Sequence, residues 1–185
     1  MYLDVPFVTQ LGFGANKNRK DPTGCWYSSA CMVAFAFEAG PRLGVPELFS
    51  RPISHADGAA GTGHWAMELG WVPTFMKNEK LAKVDGGLPA KISEIQALLK
   101  KWGPLIVYWW KTNDQGQSYG HASVLIGAGD RNIILHDPEN APRTTMSLES
   151  FRPKFDKMAG DSGQWWPVLR HEGPAFAFKG KVLSA

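Results

Sequence analysis

Cys25 occupies a position in which a thiol could act as a nucleophile. It follows the turn-forming residues Asp21-Pro-Thr-Gly24 and opens residues 25–39, a Pro-free, mostly apolar run that predicts a helix ending at Gly40-Pro41. Unpaired backbone N–H groups and the helix dipole favour a thiolate at a helix start. Position alone leaves a buried structural role open. We give that role to Cys31, on the opposite helix face, and expect two free thiols.

A nucleophilic thiol needs a base, and His121 is the strongest candidate because a carboxylate can lie beside it. If residues 128–130 form a three-residue hairpin loop, His121 lies directly opposite Asp137. If residues 129–130 form a two-residue loop, His121 instead shares a face with His136. We expect the first register, in which Asp137 fixes the tautomer of His121 and His136 points away in a structural role.

Acyl transfer also needs hydrogen-bond donors for the developing oxyanion. The backbone N–H of Cys25 can be one, and the side-chain amide of Gln10, at the end of the first predicted strand, can be the other. Metal chemistry has less support, because the two cysteines and the other histidines form no close-spaced ligand motif. We therefore predict neither a metal nor a cofactor. The other histidines are His55, His64 and His171.

The elements that must position these residues form an α+β pattern, with helices mostly before strands. Turn residues separate three apolar, β-branched runs that predict consecutive antiparallel strands. Ser93 and Gln96 have the spacing of a capping box. The predicted elements are strands at Leu3–Val8, Leu105–Trp110, His121–Gly127, Arg131–His136, Trp165–Leu169 and Phe176–Val182, helices at His64–Leu69, Ser93–Trp102 and Ser147–Phe155, and loops at Leu11–Gly24 and Pro41–Gly63, the latter with a helical turn near Glu47.

Composition excludes several classes of protein. The chain has 185 residues, of which 44% are hydrophobic and 20% charged, with a formal net charge of +3. These values are typical of one globular domain and argue against a disordered or coiled-coil chain. Lys and Arg are scattered, so we expect no nucleic-acid partner. No apolar run is long enough to span a bilayer, and the N-terminus lacks a secretory signal.

Five segments carry a resemblance to a known family. Together they resemble the papain-like cysteine peptidases of the bacterial effector type, the AvrRpt2-like family, and more distantly the C39 leader peptidases. The segments are Asp4-Val-Pro-Phe-Val-Thr-Gln10, Gly24-Cys-Trp-Tyr-Ser-Ser-Ala-Cys-Met32, Glu38-Ala-Gly-Pro-Arg-Leu-Gly-Val-Pro-Glu-Leu48, Gly120-His-Ala-Ser-Val-Leu-Ile-Gly127 and His136-Asp-Pro138.

This resemblance implies a role for each candidate residue. Cys25 is then the nucleophile of a cysteine peptidase, and His121 is its general base and acid. Asp137 is the orienting carboxylate, and Gln10 is the oxyanion donor.

The resemblance also implies a papain-like fold in a single domain, residues 1–185. A helical lobe of about residues 20–102 would carry the nucleophile. A sheet lobe of about residues 103–185, joined by the N-terminal strand, would carry the histidine and the carboxylate.

The family further implies an effector or toxin that a specialised secretion system delivers into a target cell. Expected partners are a protein or peptide substrate and an immunity or activating protein, and we expect a monomer. Two features depart from the relatives. The chain begins almost at the first motif, so no pro-region is visible, and it lacks the transporter segments usual for leader peptidases.

Other functions use the same residue types. A peptidoglycan amidase or a deamidase-type acyl transferase would need the same nucleophile and base. A catalytically idle papain-like module that binds peptides is a non-enzymatic alternative. The complete set of Gln10, Cys25, His121 and Asp137 argues against the idle module.

Overall fold

The computed structural model describes residues 1–13, 19–37, 50–54, 60–160, 166–173 and 182–183. His55, the predicted turn near Glu47 and most of the predicted strand Phe176–Val182 lie outside these residues. Within the described part of the chain, no helix is long and apolar enough to cross a membrane.

The strands of the described residues form one large antiparallel sheet and two small hairpins. The small hairpins are β2 (Leu11–Phe13) with β3 (Arg19–Lys20), and β4 (Ser50–Ser54) with β5 (Ala60–His64). The large sheet contains β1 (Tyr2–Leu3), β6 (Leu81–Lys83), β7 (Leu105–Thr112), β8 (Ser118–Gly129), β9 (Asn132–His136), β10 (Thr144–Ser147), β11 (Leu169–His171) and β12 (Val182–Leu183). Its order is β10-β9-β8-β7-β11-β6, and β1 lies between β8 and β12.

Four helices accompany the strands in the described residues. They are α1 (Cys25–Phe37), α2 (Val72–Asn78), α3 (Ile92–Trp102) and α4 (Leu148–Gly160). Ten of the thirteen residues of α1 are buried, and this helix packs on β7, β8 and β11. Helix α3 packs on β8 and α4 on β7. The predicted α+β class, with helices on an antiparallel sheet, is confirmed, and the division into two lobes stays a prediction.

The N-terminal segment is less regular than the sequence predicts. The expected strand Leu3–Val8 is wrong beyond Leu3, because Pro6 has no N–H with which to continue a ladder. The carbonyl of Val5 instead accepts a hydrogen bond from the ring of His136 at 2.8 Å. The predicted loops Leu11–Gly24 and Pro41–Gly63 are also wrong in part, since each contains one of the small hairpins.

The predicted helix His64–Leu69 is wrong, and the predicted helix start at Ser93 is wrong by one residue. His64 ends strand β5, and helical structure begins only with a 3-10 turn at Leu69–Trp71, which continues into α2. Pro73 suits this start, since backbone N–H groups in a first turn have no intrahelical acceptor. The capping box is absent because Lys91 is the N-cap of α3, and Gln96 donates to the carbonyl of Ala128 at 2.8 Å.

The hairpin between β8 and β9 has a register that differs from both sequence alternatives. Gly129 pairs with Asn132, which leaves a two-residue loop, and Asp130 has a positive φ of 50°. A β-bulge then adds Ile126 to β8, so that Val124 pairs with His136. The expected direct pairing of His121 with Asp137 is therefore wrong. The bulge nevertheless brings Asp137, the next residue, to the face of His121.

Gly127 allows β1 to approach the bulge. Tyr2 pairs with Gly127, and the two backbones lie so close that a Cβ at Gly127 would be 2.5 Å from Cβ of Tyr2 and 2.8 Å from the carbonyl of Met1. No real Cβ atom makes such contacts, so any larger residue must displace β1 from the sheet.

We predict that Gly127→Ala lowers the free energy of unfolding by about 1 to 3 kcal/mol, the usual cost of overpacking. Gly70→Ala is the matched control, since a Cβ there meets nothing within 4 Å. Urea denaturation of both variants measures the difference. Equal stability of the two variants would contradict the close approach of β1.

Candidate active site

Cys25 is the first residue of α1, as the sequence predicts. Gly24 precedes it in a tight turn, where its N–H donates to the carbonyl of Asp21 at 3.1 Å. The carboxylate of Asp21 lies directly over Gly24, so that any side chain there would overlap it. The turn thus directs the backbone into the helix and leaves the half-buried Cys25 at the positive end of its dipole.

His121 lies between Cys25 and a carboxylate. Its Nε2 is 2.6 Å from Oδ1 of Asp137, and both side chains are almost fully buried. Cys25 lines the same cleft and is close enough to the ring that its sulfur raises the pKa of His121. Because Nε2 faces Asp137, Nδ1 is the nitrogen left for the sulfur. The structure thus brings together three of the residues that the sequence analysis singled out.

The charges in this cluster shift the titration of both buried partners. Burial lowers the pKa of His121, but the hydrogen bonds with Asp137 and Cys25 outweigh it and raise the pKa to about 9. Burial raises the pKa of Asp137, but His121 and Lys111 outweigh it and lower the pKa to about 2. At neutral pH the ring of His121 is therefore an imidazolium held beside a carboxylate.

His136 has the structural environment that the sequence analysis expected for it. Its Nε2 donates to the carbonyl of Val5 at 2.8 Å, and its Nδ1 accepts from the N–H of Arg143 at 3.1 Å. Burial lowers its pKa, which favours the neutral ring that these two bonds require. With both nitrogens occupied, His136 ties the N-terminal segment to the end of β9.

Gln10 joins the loop before Cys25 to the loop after β9. Its backbone N–H donates to the carbonyl of Pro138 at 2.9 Å, and its carbonyl accepts from the N–H of Asp21 at 2.7 Å. Its Nε2 donates to the carbonyls of Asp21 at 3.2 Å and Pro22 at 3.4 Å. The amide lies at the cleft, but its donor is directed at the backbone, so a role as oxyanion donor stays a prediction.

These residues open onto a cleft of about 430 Å³ with a mainly apolar and aromatic wall. Such a surface suits an extended chain with apolar side chains better than a highly charged ligand. The residues that line it, besides Gln10, Cys25 and His121, are Pro22, Thr23, Trp26, Ala66, Met67, Tyr108, Tyr119, Gly120, Ala122, Met158 and Trp166.

Known proteins share both the sequence pattern and this architecture. Residues 2–156 match the family model described as papain-like cysteine protease AvrRpt2. The chain belongs to this family of papain-like cysteine proteases. Its fold is similar to that of a crystal structure of a C39-like peptidase from Bacillus anthracis, with a TM-score of 0.54 and 15% identity over 91% of this chain and 96% of the other.

In this member of the AvrRpt2 family, a lysine that sequence analysis missed holds the second oxygen of Asp137. Nζ of Lys111 lies 2.8 Å from Oδ2 of Asp137 and 2.9 Å from Oε2 of Glu139, and Tyr119 donates to Glu139 at 2.6 Å. The sequence signal for Lys111 was a cation near the end of an otherwise apolar strand. Lys111 gives the buried carboxylate a second positive partner and fixes its orientation.

A second histidine–carboxylate pair involves the turn before Cys25. Nδ1 of His64 is 2.7 Å from Oδ2 of Asp21, and the ring stacks on Tyr27 at 3.9 Å. This contact ties the end of β5 to the turn before Cys25. Sequence analysis missed this pair because it placed Asp21 in a loop and His64 at the start of a helix.

The remaining residues of interest lie away from the reacting groups. Cys31 is buried in α1, and both cysteines are free thiols. His171 stacks on Phe37 with ring centroids 4.3 Å apart. Among the described residues, no cluster of three or more His, Cys, Asp or Glu side chains could hold a metal ion.

We predict that His121 titrates near pH 9 in this protease and that Asp137→Asn lowers the midpoint. NMR of the ring protons measures both, with the exposed Asp156→Asn as the control. A midpoint near 6.5 that Asp137→Asn leaves unchanged would contradict the pairing.

The same shifts set the dependence of stability on pH. The pKa of His121 is raised from 6.5 to about 9, so its contribution is complete below pH 6.5 and is lost as pH rises through about 9. The pKa of Asp137 is lowered from 3.8 to about 2, so its contribution is present above pH 3.8 and is lost as pH falls through about 2.

Proposed function

We propose that this protein hydrolyses peptide bonds with Cys25 as nucleophile, His121 as general acid and base, and Asp137 as the residue that orients His121. The observation that carries the proposal is the position of His121, hydrogen-bonded to Asp137 and lining an open cleft together with Cys25, whose sulfur raises the pKa of the ring. A positively charged histidine beside a cysteine favours the thiolate, which is the nucleophilic form of the side chain.

The reaction follows from this geometry in two stages. The thiolate of Cys25 attacks the carbonyl carbon of the bound peptide, and the imidazolium of His121 gives its proton to the leaving amine. This leaves a thioester and a neutral ring. His121 then takes a proton from water, and the hydroxide attacks the thioester carbon. The C–S bond breaks and releases the acid, which leaves the Cys25 thiolate beside the His121 imidazolium, as at the start. Asp137 keeps the ring aligned in both stages.

The developing oxyanion needs donors in both stages. The N–H of Cys25 is one of the first N–H groups of α1, which have no intrahelical acceptor. Gln10 is the proposed second donor, and its place at the cleft supports this role, which requires its amide to turn from the carbonyls of Asp21 and Pro22 toward the substrate.

The decisive experiment compares Cys25→Ala and His121→Ala with the wild type on a peptide library read by mass spectrometry. We predict that both variants lose turnover by about 1000-fold or more, since nucleophile and base act as a unit, and that Asp137→Ala loses less. Cys31→Ala is the matched control, because it removes the other thiol and should keep full activity. Full activity in Cys25→Ala would refute the proposal.

The products separate the related chemistries. Two peptide fragments indicate a peptidase, conversion of a Gln or Asn side chain without cleavage indicates a deamidase, and cleavage of muropeptides alone indicates a peptidoglycan amidase. If no amide is attacked and iodoacetamide modifies Cys25 no faster than Cys31, the chain is a binding module.

The proposal extends to delivery of the protein into a target cell as an effector or toxin. Membership of the AvrRpt2 family supports this extension. We predict that a translocation-reporter fusion, expressed in a bacterium with a specialised secretion system, reaches contacted target cells, and that a Cys25→Ala fusion reaches them equally because export does not need turnover. Reporter activity confined to the producing cells would contradict delivery.

A further inference from the structure

Tyr108 carries a buried hydroxyl that no other described residue pairs with. The residue lies in the middle of β7, where it pairs with Ala122. Its side chain is 3% exposed, and its Oη has no hydrogen-bond partner among the described residues. Tyr108 also lines the cleft that holds Cys25 and His121. An orphaned donor thus lies in the wall of the proposed active site.

A buried hydroxyl without a partner is unfavourable for folding. Removing a hydroxyl from water without replacing its hydrogen bond destabilises the folded state, and almost all buried polar groups in proteins are therefore paired. A phenylalanine at position 108 would keep the packing of the ring against Trp166, whose centroid is 4.7 Å away. Packing therefore does not account for the hydroxyl.

The hydroxyl of Tyr108 is a donor throughout the working pH range. Burial raises its pKa far above the ordinary value, and the charge of Cys25 raises it further. The second effect also places Tyr108 within electrostatic range of the nucleophile. The group is thus a neutral donor close to the atom that attacks the substrate.

Two other side-chain donors at the cleft have partners within the protein. Nε2 of Gln10 donates to the carbonyls of Asp21 and Pro22. Tyr119, the second tyrosine of the cleft, donates to Glu139. Tyr108 differs from these two, because no described residue accepts a hydrogen bond from its hydroxyl.

We propose that the hydroxyl of Tyr108 donates a hydrogen bond to a carbonyl oxygen of the peptide bound in the cleft. This inference rests on the proposed peptidase function and adds a substrate-binding residue to it. A carbonyl oxygen is the acceptor that every peptide bond presents, so the contact holds the main chain of the substrate whatever its side chains are.

The test is Tyr108→Phe, with Tyr2→Phe as the matched control because it removes a hydroxyl outside the cleft. We expect Tyr108→Phe to lower kcat/KM for peptide cleavage about 10- to 100-fold. Its Tm should be equal to or higher than that of the wild type, since an unpaired hydroxyl has been removed. The rate at which iodoacetamide alkylates Cys25 should not change, because the pair with His121 is intact.

Three results would overturn the inference. An unchanged kcat/KM would show that the hydroxyl does not contact substrate. A clear drop in Tm would show that the hydroxyl is paired within the protein, and a drop in alkylation rate would show that it acts on Cys25. If the wild type cleaves no peptide, the proposed function itself fails. If the wild type and the Tyr108→Phe variant cleave peptides equally well, the proposed function stands and only the role of Tyr108 fails.

Discussion

The fold depends on keeping two opposite charges together in a place from which water is excluded. His121 and Asp137 are both buried, and either charge alone would be costly there. Their 2.6 Å hydrogen bond, together with Lys111 on the far oxygen of Asp137, compensates the loss of hydration. The same contacts shift the ring of His121 to the cationic form. One arrangement thus serves the stability of the sheet and, in the proposed mechanism, the reaction of the neighbouring thiol.

A single extra residue in β8 makes this pairing possible. At the turn, Gly129 pairs with Asn132, and that register alone would put His136 on the face of His121. The bulge at Ile126 reverses the alternation before the strand reaches His121. His136 then turns to the opposite face, where it binds Val5, and Asp137 turns toward the reacting group.

Sequence reasoning identified the long apolar elements and the residues of the candidate site, because periodicity and helix-start signals are local. It placed the start of α1 at Cys25 and found strands β7, β8 and β9. It missed the short strands β6 and β10, whose few residues give no periodic pattern. Sequence analysis could not predict the bulge at Ile126, because the position of a bulge depends on how the neighbouring strands pack. Sequence analysis also missed Lys111 and Tyr108. Lys111 stands out only by its contacts with Asp137 and Glu139. Tyr108 stands out only because its hydroxyl has no hydrogen-bond partner among the described residues.

The hydrogen bonds of Gln10 join two segments that the ribosome makes at different times. They fasten the turn before Cys25 to the loop after Asp137, two segments that are far apart along the chain. During translation Cys25 leaves the ribosome well before His121 and Asp137. A growing or prematurely ended chain therefore carries the thiol of Cys25 without the ring and the carboxylate that the proposed reaction needs. The order of these residues along the chain thus delays the proposed activity until synthesis is nearly complete.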